Sequence, residues 1–225
     1  MASNASFAAL RFFAPLREIP NAVTTLSTAD NTILGLQLPT DPRWVNLAEI
    51  SLEEILTDHA FCEQKAATQC ISLIQQYPDK KELVEALSPV VTEEWGHFRM
   101  VWAEMQKRGF QLGRQRKDEY VNLLLQHEPK GIGAAQRLLH KLLICGLIEA
   151  RSCERFRLLS EGLEEATLRK FYYKFMVSEA GHYRLFLDLA RTYFPEDLVK
   201  KEWQNWLKFE AEILKELKPR GDRMH

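Results

Sequence analysis

The sequence predicts an all-α protein, a four-helix bundle of long antiparallel helices with additional shorter helices. Three observations carry that prediction. Four long stretches, near residues 51–76, 79–107, 134–160 and 164–193, place apolar residues every three to four positions, the period of a helix with one buried face. No strand-rich region interrupts them. A constellation of acids and histidines then appears twice. Glu63 is followed after 31 residues by Glu94-Trp95-Gly96-His97, and Glu149 after 30 residues by Glu179-Ala180-Gly181-His182.

The elements follow in order. From residue 7 to 40 the pattern is irregular and punctuated by Pro15, Pro20 and Pro39, with a short extended segment or strand possible at 32–38 and a turn at 39–42. Ser51 with Glu54 reads as a capping box opening the first long helix, which Pro78 stops after Gln76. Asp79 can cap the second, which runs to Lys107 and stops at Gly109. Pro89 lies inside it and predicts a kink or short break near Ser88. A basic connection (Arg114, Arg116, Lys117) leads into a shorter amphipathic helix at 117–126. The third long helix spans 134–160 and the fourth 164–193. A last one at 196–217 begins Pro195-Glu196-Asp197, acids that suit the positive end of its dipole. Helices of roughly 25–30 residues rise about 37–45 Å at 1.5 Å per residue, which suits a bundle better than a globin-like packing. The expectation is one domain over 1–225, with 1–32 as an irregular N-terminal segment and 51–217 as bundle and accessory helices.

Composition narrows the function classes. With 225 residues, 46% hydrophobic and 27% charged, the chain can bury a sizeable core. A net charge of −1 neither advertises a nucleic-acid binder nor excludes one with a local basic face. Cys62, Cys70, Cys145 and Cys153 form no Cys-x-x-Cys, so a thiolate zinc site is disfavoured and reduced core cysteines of a cytoplasmic protein are expected. No run of 18 apolar residues is present, so no membrane partner is expected. Residues 1–32 lack a secretory pattern; they are rich in Ala, Ser and Thr like a transit sequence, but Glu18 and Asp30 and the scarcity of Arg argue against one.

Helical spacing tests which acids face inward. Leu56, Ala60, Glu63, Ala67, Cys70 and Ile74 step by fours and threes, so Glu63 lies in an apolar stripe. Glu94 and His97 lie with Val90, Val91, Phe98 and Val101. Glu149 follows Leu142 and Cys145 and precedes Cys153 and Phe156. Glu179 and His182 sit among Tyr172, Phe175, Met176, Tyr183 and Phe186. Glu154 and Glu93 serve as controls. Glu154 falls about 140° around from Glu149 and shares a face with Arg151, Arg157 and Glu161, which reads as solvated. Glu93 is rotated away from Val90, His97 and Val101.

Four buried carboxylates cannot all ionise without cations, because their mutual repulsion adds to several kcal/mol of desolvation for each. Two divalent metals supply the four charges, and two imidazoles complete an oxygen and nitrogen set that suits iron or manganese. The i, i+3 spacing puts Glu and His one turn apart on one face. A Glu from each of two helices plus Glu-x-x-His from each of two others is the pattern of ferritin-like di-iron and di-manganese proteins. Such a centre reduces dioxygen, and its ligands alone do not choose among hydroxylase, desaturase, ferrous oxidase and peroxidase. A bundle whose inward Glu and His pair only with each other is the reading without metal. Of the other histidines, His59 is expected to orient Glu63 or to be a polar residue near the bundle end, while His127, His140 and His225 read as surface residues. Tyr172, Tyr183 and Phe186 read as core packing, and Trp203 and Trp206 as docking anchors.

Several stretches are then distinctive together: Leu38-Pro39-Thr40-Asp41-Pro42-Arg43-Trp44-Val45, Asp58-His59-Ala60-Phe61-Cys62-Glu63-Gln64-Lys65-Ala66-Ala67, Glu93-Glu94-Trp95-Gly96-His97-Phe98, Ile148 to Phe156, Ser178-Glu179-Ala180-Gly181-His182-Tyr183 and the tail Arg220-Gly221-Asp222-Arg223-Met224-His225. Over about 33–225 the sequence resembles the tRNA-(2-methylthio-N6-isopentenyladenosine) hydroxylase family, known as MiaE. The resemblance implies a ferritin-like, non-haem di-iron monooxygenase that hydroxylates the isopentenyl side chain of an adenosine beside the anticodon. It implies two Fe ions rather than Mn, with dioxygen as co-substrate. The implied ligands are Glu63, Glu94, His97, Glu149, Glu179 and His182, acting through the metals. By analogy, Glu94 and Glu179 would bridge. No dinucleotide fingerprint or iron–sulfur cysteine set is present, so electrons are expected from a separate reductase. Phosphates of the tRNA anticodon stem-loop would need Lys and Arg, and candidates cluster at Arg108, Arg114, Arg116, Lys117, at Lys130, Arg137, Lys141, and at Lys215, Lys218, Arg220, Arg223. The alternative is a rubrerythrin- or ferritin-like oxidase or peroxidase with no RNA substrate.

Overall fold

Four long helices form two hairpins in a computed structural model that describes residues 33–225. The expectations for residues 1–32 lie outside the described residues. The helices are α1 (Trp44–Ile50), α2 (Leu52–Gln76), α3 (Lys81–Lys107), α4 (Glu119–His127), α5 (Ala134–Gly162), α6 (Ala166–Tyr193) and α7 (Glu196–Glu216), with no strand among the described residues. Connections of only a few residues fold α3 back on α2 and α6 back on α5, as short loops between long helices require. The hairpins meet along α3 and α6, and α7 packs on α4, α5 and α6. No Cα atoms of α2 and α5 approach within 8 Å, so that seam of the bundle stays open.

The core has two apolar plugs with a polar layer between them. One gathers Leu73, Leu83, Leu87, Leu142, Leu143 and Phe186. The other gathers Leu56, Val101, Met105, Phe156, Tyr172 and Phe175. Each of α2, α3, α5 and α6 contributes to both, and Glu63, Glu94, Glu149 and Glu179 lie between those contributions along each helix. Burial of each large apolar side chain contributes about 1.5–3 kcal/mol. That driving force holds the intervening carboxylates out of bulk water.

Four local expectations are corrected. At 33–38 the chain turns instead of extending: Leu34 and Gly35 have φ of 56° and 81°, and Leu36 N–H donates to Ile33 O at 3.1 Å. Ser51 makes no side-chain cap, because an unforeseen α1 precedes it and Ser51 is the joint, its N–H donating to Leu47 O and its carbonyl accepting from Ile55 N–H. Asp79 caps nothing, and Lys80 holds the N-cap position of α3 without a side-chain bond. Of the kink or short break expected near Ser88, the break is absent, since α3 runs unbroken from Lys81 to Lys107. Pro89 and Glu85, whose carbonyl loses its helical partner there, are both exposed, so water can serve that carbonyl.

A larger correction concerns Arg151 and Glu154. Both are fully buried, not solvated. Arg151 donates to Glu210 of α7 at 2.9 and 2.6 Å and to Glu154, while Glu154 also accepts from Thr40 N–H at 2.9 Å and Thr40 Oγ1 at 2.7 Å. Helical spacing gives a direction, and here α7 and the loop around Thr40 cover that direction. Cys70, Cys145 and Cys153 are buried, and all four cysteines are free. Trp203 and Trp206 are buried on α7 as docking anchors. No described helix is long and apolar enough to cross a membrane.

Candidate dimetal site

The six side chains singled out by spacing meet in the polar layer. Their donor atoms form two quartets, each lying within 4.8 Å: Glu63, Glu94, His97 and Glu179 in one, and Glu94, Glu149, Glu179 and His182 in the other. Glu94 and Glu179, at matching levels of α3 and α6, belong to both. All six residues are at least nine-tenths buried. His97 Nδ1 lies 3.1 Å from Glu94, 3.3 Å from Glu63 and 3.9 Å from Glu179. His182 Nδ1 lies 2.7 Å from Glu94 and 3.5 Å from Glu179.

This donor set fits a pair of cations. Glu94 Oε1, Glu179 Oε1 and His182 Nδ1 are buried without a hydrogen-bond partner. The 2.7 Å between His182 Nδ1 and Glu94 Oε1 therefore reflects donors crowded around shared space, without the alignment of a hydrogen bond. Buried polar atoms left this way are costly unless something else meets them. Without metal, protons do the neutralising. Burial, reinforced by neighbouring carboxylates, pushes Glu63 and Glu149 well above the ordinary range. Burial opposes charge on His97, yet Glu63 and Glu94 outweigh it and raise the ring to about 10. His182 is likewise raised against its burial by Glu179, Glu93 and Glu94. Glu94 is lowered despite burial, by the two imidazoles beside it.

Two supporting residues surround these donors. His59, completely buried, lies 2.7 Å from Glu63 and is enclosed by Phe156, Tyr172 and Phe175 at ring-centroid distances of 4.7, 5.6 and 4.6 Å. Burial lowers its pKa well below the ordinary value, and the contact of its Nε2 with Glu63 fixes that side chain. Orientation of Glu63 is the arrangement found. Glu93 is the residue that spacing undervalued. Spacing turns it away from His97 in the sequence reading, yet its carboxylate lies behind both imidazoles, 4.0 Å from His97 Nε2 and 3.3 Å from His182 Nε2, and accepts from Ser178 Oγ at 2.6 Å. The His182 contact chiefly holds Glu93 down at about 2. The missed signal is the i, i+4 step from Glu93 to His97, which places the two one turn apart on the same side of α3.

The open seam between α2 and α5 contains a cavity of about 910 Å³ whose floor includes Glu63, Glu94, Glu149 and Glu179. Ile144, Ile148 and Phe186 give it apolar wall, and residues 115–128 with His225 form its rim. His225 is thus not on the surface; its side chain is 2% exposed. His140 is also only partly exposed and accepts from Trp206 Nε1 at 3.1 Å, whereas His127 is exposed and stacks on Phe209. Of the basic candidates, Arg108 is held by Glu104 and Glu165, and Arg116, Arg220 and Arg223 all engage Asp222. Lys117 and Lys141 line the cavity.

Known proteins fit this geometry. A solved structure described as protein 43 with aldehyde deformylating oxygenase activity, from Synechococcus, superposes with a TM-score of 0.80 at 36% identity, covering 86% of this chain and 96% of that one. A tRNA 2-(methylsulfanyl)-N(6)-isopentenyladenosine(37) hydroxylase from Pseudomonas putida is 36% identical over 165 residues, 72% of this chain and 77% of the relative. A hydroxylase of the same name from Salmonella typhimurium is 29% identical over 218 residues. The family profile described as tRNA-(MS2IO6A)-hydroxylase matches residues 27–225. With its helical bundle, its doubled carboxylate and histidine quartets and a match over nearly its whole length, the chain belongs to the MiaE family of tRNA hydroxylases.

Proposed function

We propose that this protein hydroxylates the isopentenyl side chain of 2-methylthio-N6-isopentenyladenosine in tRNA, using two iron ions, dioxygen and electrons from a separate reductase. The observation that carries the reading is the cavity of about 910 Å³ opening directly onto the carboxylates of both quartets. Glu63 and His97 would hold one ion, Glu149 and His182 the other, and Glu94 and Glu179, common to both quartets, would bridge. When bound, the irons supply the reduction of dioxygen that an unactivated C–H bond demands.

The protein's own residues do the rest. His59 and Glu93 fix the orientation of Glu63 and of the two imidazoles, and the apolar plugs close the site from both ends of the bundle, leaving the cavity as its approach. The isopentenyl group would lie against Ile144, Ile148 and Phe186, so the nucleotide must be splayed out of its loop to reach them. A second cavity of about 480 Å³, lined by Lys117, Lys215, Lys218 and Arg220, shares Lys117 and His225 with the first. It would take backbone phosphates next to the splayed base, and these contacts should make binding fall as salt rises.

The test is anaerobic iron loading, metal analysis, and mass analysis of nucleosides from modified tRNA after reduction and exposure to oxygen. About two irons per chain and a nucleoside heavier by one oxygen are expected; fewer than about one iron would sink the dimetal reading. A second reading comes from the Synechococcus relative's activity, since the same cavity could receive an aldehyde chain. Loss of a fatty aldehyde with tRNA left unchanged would favour it. A peroxidase needs no cavity of this size, and rapid peroxide consumption with unmodified tRNA would favour that reading instead.

A further inference from the structure

The rim of the cavity contains a hydrogen-bonded series that the six donors and their supports do not use. His225 Nε2 lies 2.9 Å from Ser152 Oγ, and His225 Nδ1 lies 3.2 Å from Asp118 Oδ2. Ser152 is on α5 one turn beyond Glu149, and both line the cavity with Asp118 and His225. An elaborate strap places the last residue there. Trp44 Nε1 donates to Arg220 O and Arg223 O at 2.9 and 3.2 Å, Met224 N–H donates to Asp58 at 2.8 Å, and Arg116 holds Asp222 at 3.1 Å. Gly221 runs so close to α1 that a Cβ there would sit 2.1 Å from Leu47 O. The His225 ring then stacks on Tyr120 at 5.3 Å.

We propose that Asp118, His225 and Ser152 form a proton-delivery relay in the wall of the cavity. The proposal rests on the hydroxylase reading. Hydroxylation of R–H consumes dioxygen, two electrons and two protons and yields R–OH and water, with the electrons supplied by the reductase. An occupant of the cavity narrows the path of bulk water to the floor, and a proton donor built into the wall can act while substrate is bound. An imidazolium at His225 donates Nδ1–H to Asp118 and Nε2–H to Ser152, while the Ser152 hydroxyl turns its own proton into the cavity. On turnover the Ser152 proton passes to the oxygen that leaves as water, the His225 Nε2 proton passes to Ser152 Oγ, and a neutral ring keeps Nδ1–H facing Asp118. One of the two protons is thereby delivered, and Nε2 is reprotonated from water once product leaves.

The neighbours of the ring are a charged acceptor and a neutral thiol. Burial raises the pKa of Asp118, but His225, the Val121 N–H and Lys65 outweigh it and hold the carboxyl at about 2. Lys65 Nζ lies 3.9 Å from Asp118. Cys62, 4.0 Å from His225 Nδ1, stays a neutral thiol because burial and then Asp58 and Asp118 raise its pKa well above the ordinary value. Ser152 itself is no hydrolytic nucleophile. It lies inside α5, where backbone N–H groups are committed to the helix and none can stabilise an oxyanion.

The test uses full-length His225→Gln and Ser152→Ala proteins, iron-loaded, on tRNA carrying 2-methylthio-N6-isopentenyladenosine. Hydroxylated nucleoside formed per dioxygen consumed, peroxide released, the solvent deuterium isotope effect and KM are measured. Both variants are expected to keep their iron and a KM within about twofold, to lose at least about tenfold in kcat, and to release peroxide. The wild type should show a solvent isotope effect on kcat that Ser152→Ala changes. Unchanged kcat and coupling in Ser152→Ala, or a loss confined to KM, overturns the relay, and Ser152→Ala decides alone if His225→Gln does not fold. A wild type that takes up two irons yet never hydroxylates the nucleoside overturns the hydroxylase reading, and the relay with it.

Discussion

Helix α5 carries two buried acids five residues apart that meet opposite fates. Glu154 ends against Arg151, which also binds Glu210, with Thr40 supplying two more donors. Glu149 ends among Glu94, Glu179 and His182, and Glu63, Glu94 and Glu179 form their ion pairs with imidazoles. The first cluster closes its own charge with an arginine. The second gathers four carboxylates and two neutral-capable rings and leaves its charge to be met from outside. Burial is common to both, so burial does not mark a ligand. What marks it is an excess of like charge that the protein does not itself compensate.

Breaking the second cluster should cost function most. Glu149→Ala is expected to lower iron from about two to about one per chain and to reduce hydroxylation on the order of 10³-fold, since metal electrophilicity is worth several kcal/mol. Because burial and neighbouring carboxylates disfavour charge on this group when metal is absent, removing it relieves that penalty, and the variant should melt no lower than wild type when both are metal-free. A variant with two irons and full activity would remove Glu149 from the donor set.

Breaking the first cluster should cost stability instead. Glu154→Ala leaves Arg151 buried with one carboxylate partner fewer, and removing one member of a buried pair costs about 3–5 kcal/mol. Denaturant unfolding should show that loss while metal analysis of the folded fraction still gives two irons. Loss of iron from a natively folded Glu154→Ala would erase the distinction between the clusters.

Glu93→Gln probes the border between them, an exposed-side acid acting on buried donors. Its carboxylate lies within 4.0 Å of both imidazole Nε2 atoms. Removing an acid that orients metal-binding histidines typically weakens metal affinity about 10–100-fold. Competitive chelator titration should show that range with both ions still bound at saturation. An unchanged affinity would leave Glu93 as a bystander of Ser178.

The layout of the four bundle helices and the six donors was legible because both depend on period. A step of three or four residues decides which side chain shares a face with Leu56 or Phe175, and the near-equal intervals of 31 and 30 residues reflect two hairpins of similar length. What packs on a face is not periodic information. Arg151 and Glu154 looked solvated because nothing in their own helix says that α7 and Thr40 cover them. Likewise His225 read as a surface residue, although Gly221, Asp222 and Trp44 lead it back to the cavity. Contacts between segments 59 to 176 residues apart in sequence carried these misses. Glu93 was a different failure: it lies four residues before His97 on the same helix and faces that ring, a step read as a rotation away, and the second ring it faces belongs to α6.

Acidity offers the mildest test of the uncompensated cluster. In the metal-free protein His97 is raised to about 10 and His182 is raised too, so their contribution is complete below the ordinary histidine value and is lost as pH climbs towards 10. Glu63 and Glu149 are also raised, so their protonated forms favour the folded state at low pH, and that contribution fades above the ordinary carboxyl value. Both trends weaken the metal-free fold as pH rises from 6 to 8.5. Metal must displace the same protons, and each proton released makes binding stronger by about 1.4 kcal/mol per pH unit. The rise in melting temperature on anaerobic loading with ferrous iron should therefore grow across that interval. Calorimetric titration in buffers of differing ionisation enthalpy should register proton release at pH 7. Glu154→Gln, whose cluster is closed by Arg151, should leave that proton count unchanged, whereas Glu149→Gln should lower it by about one.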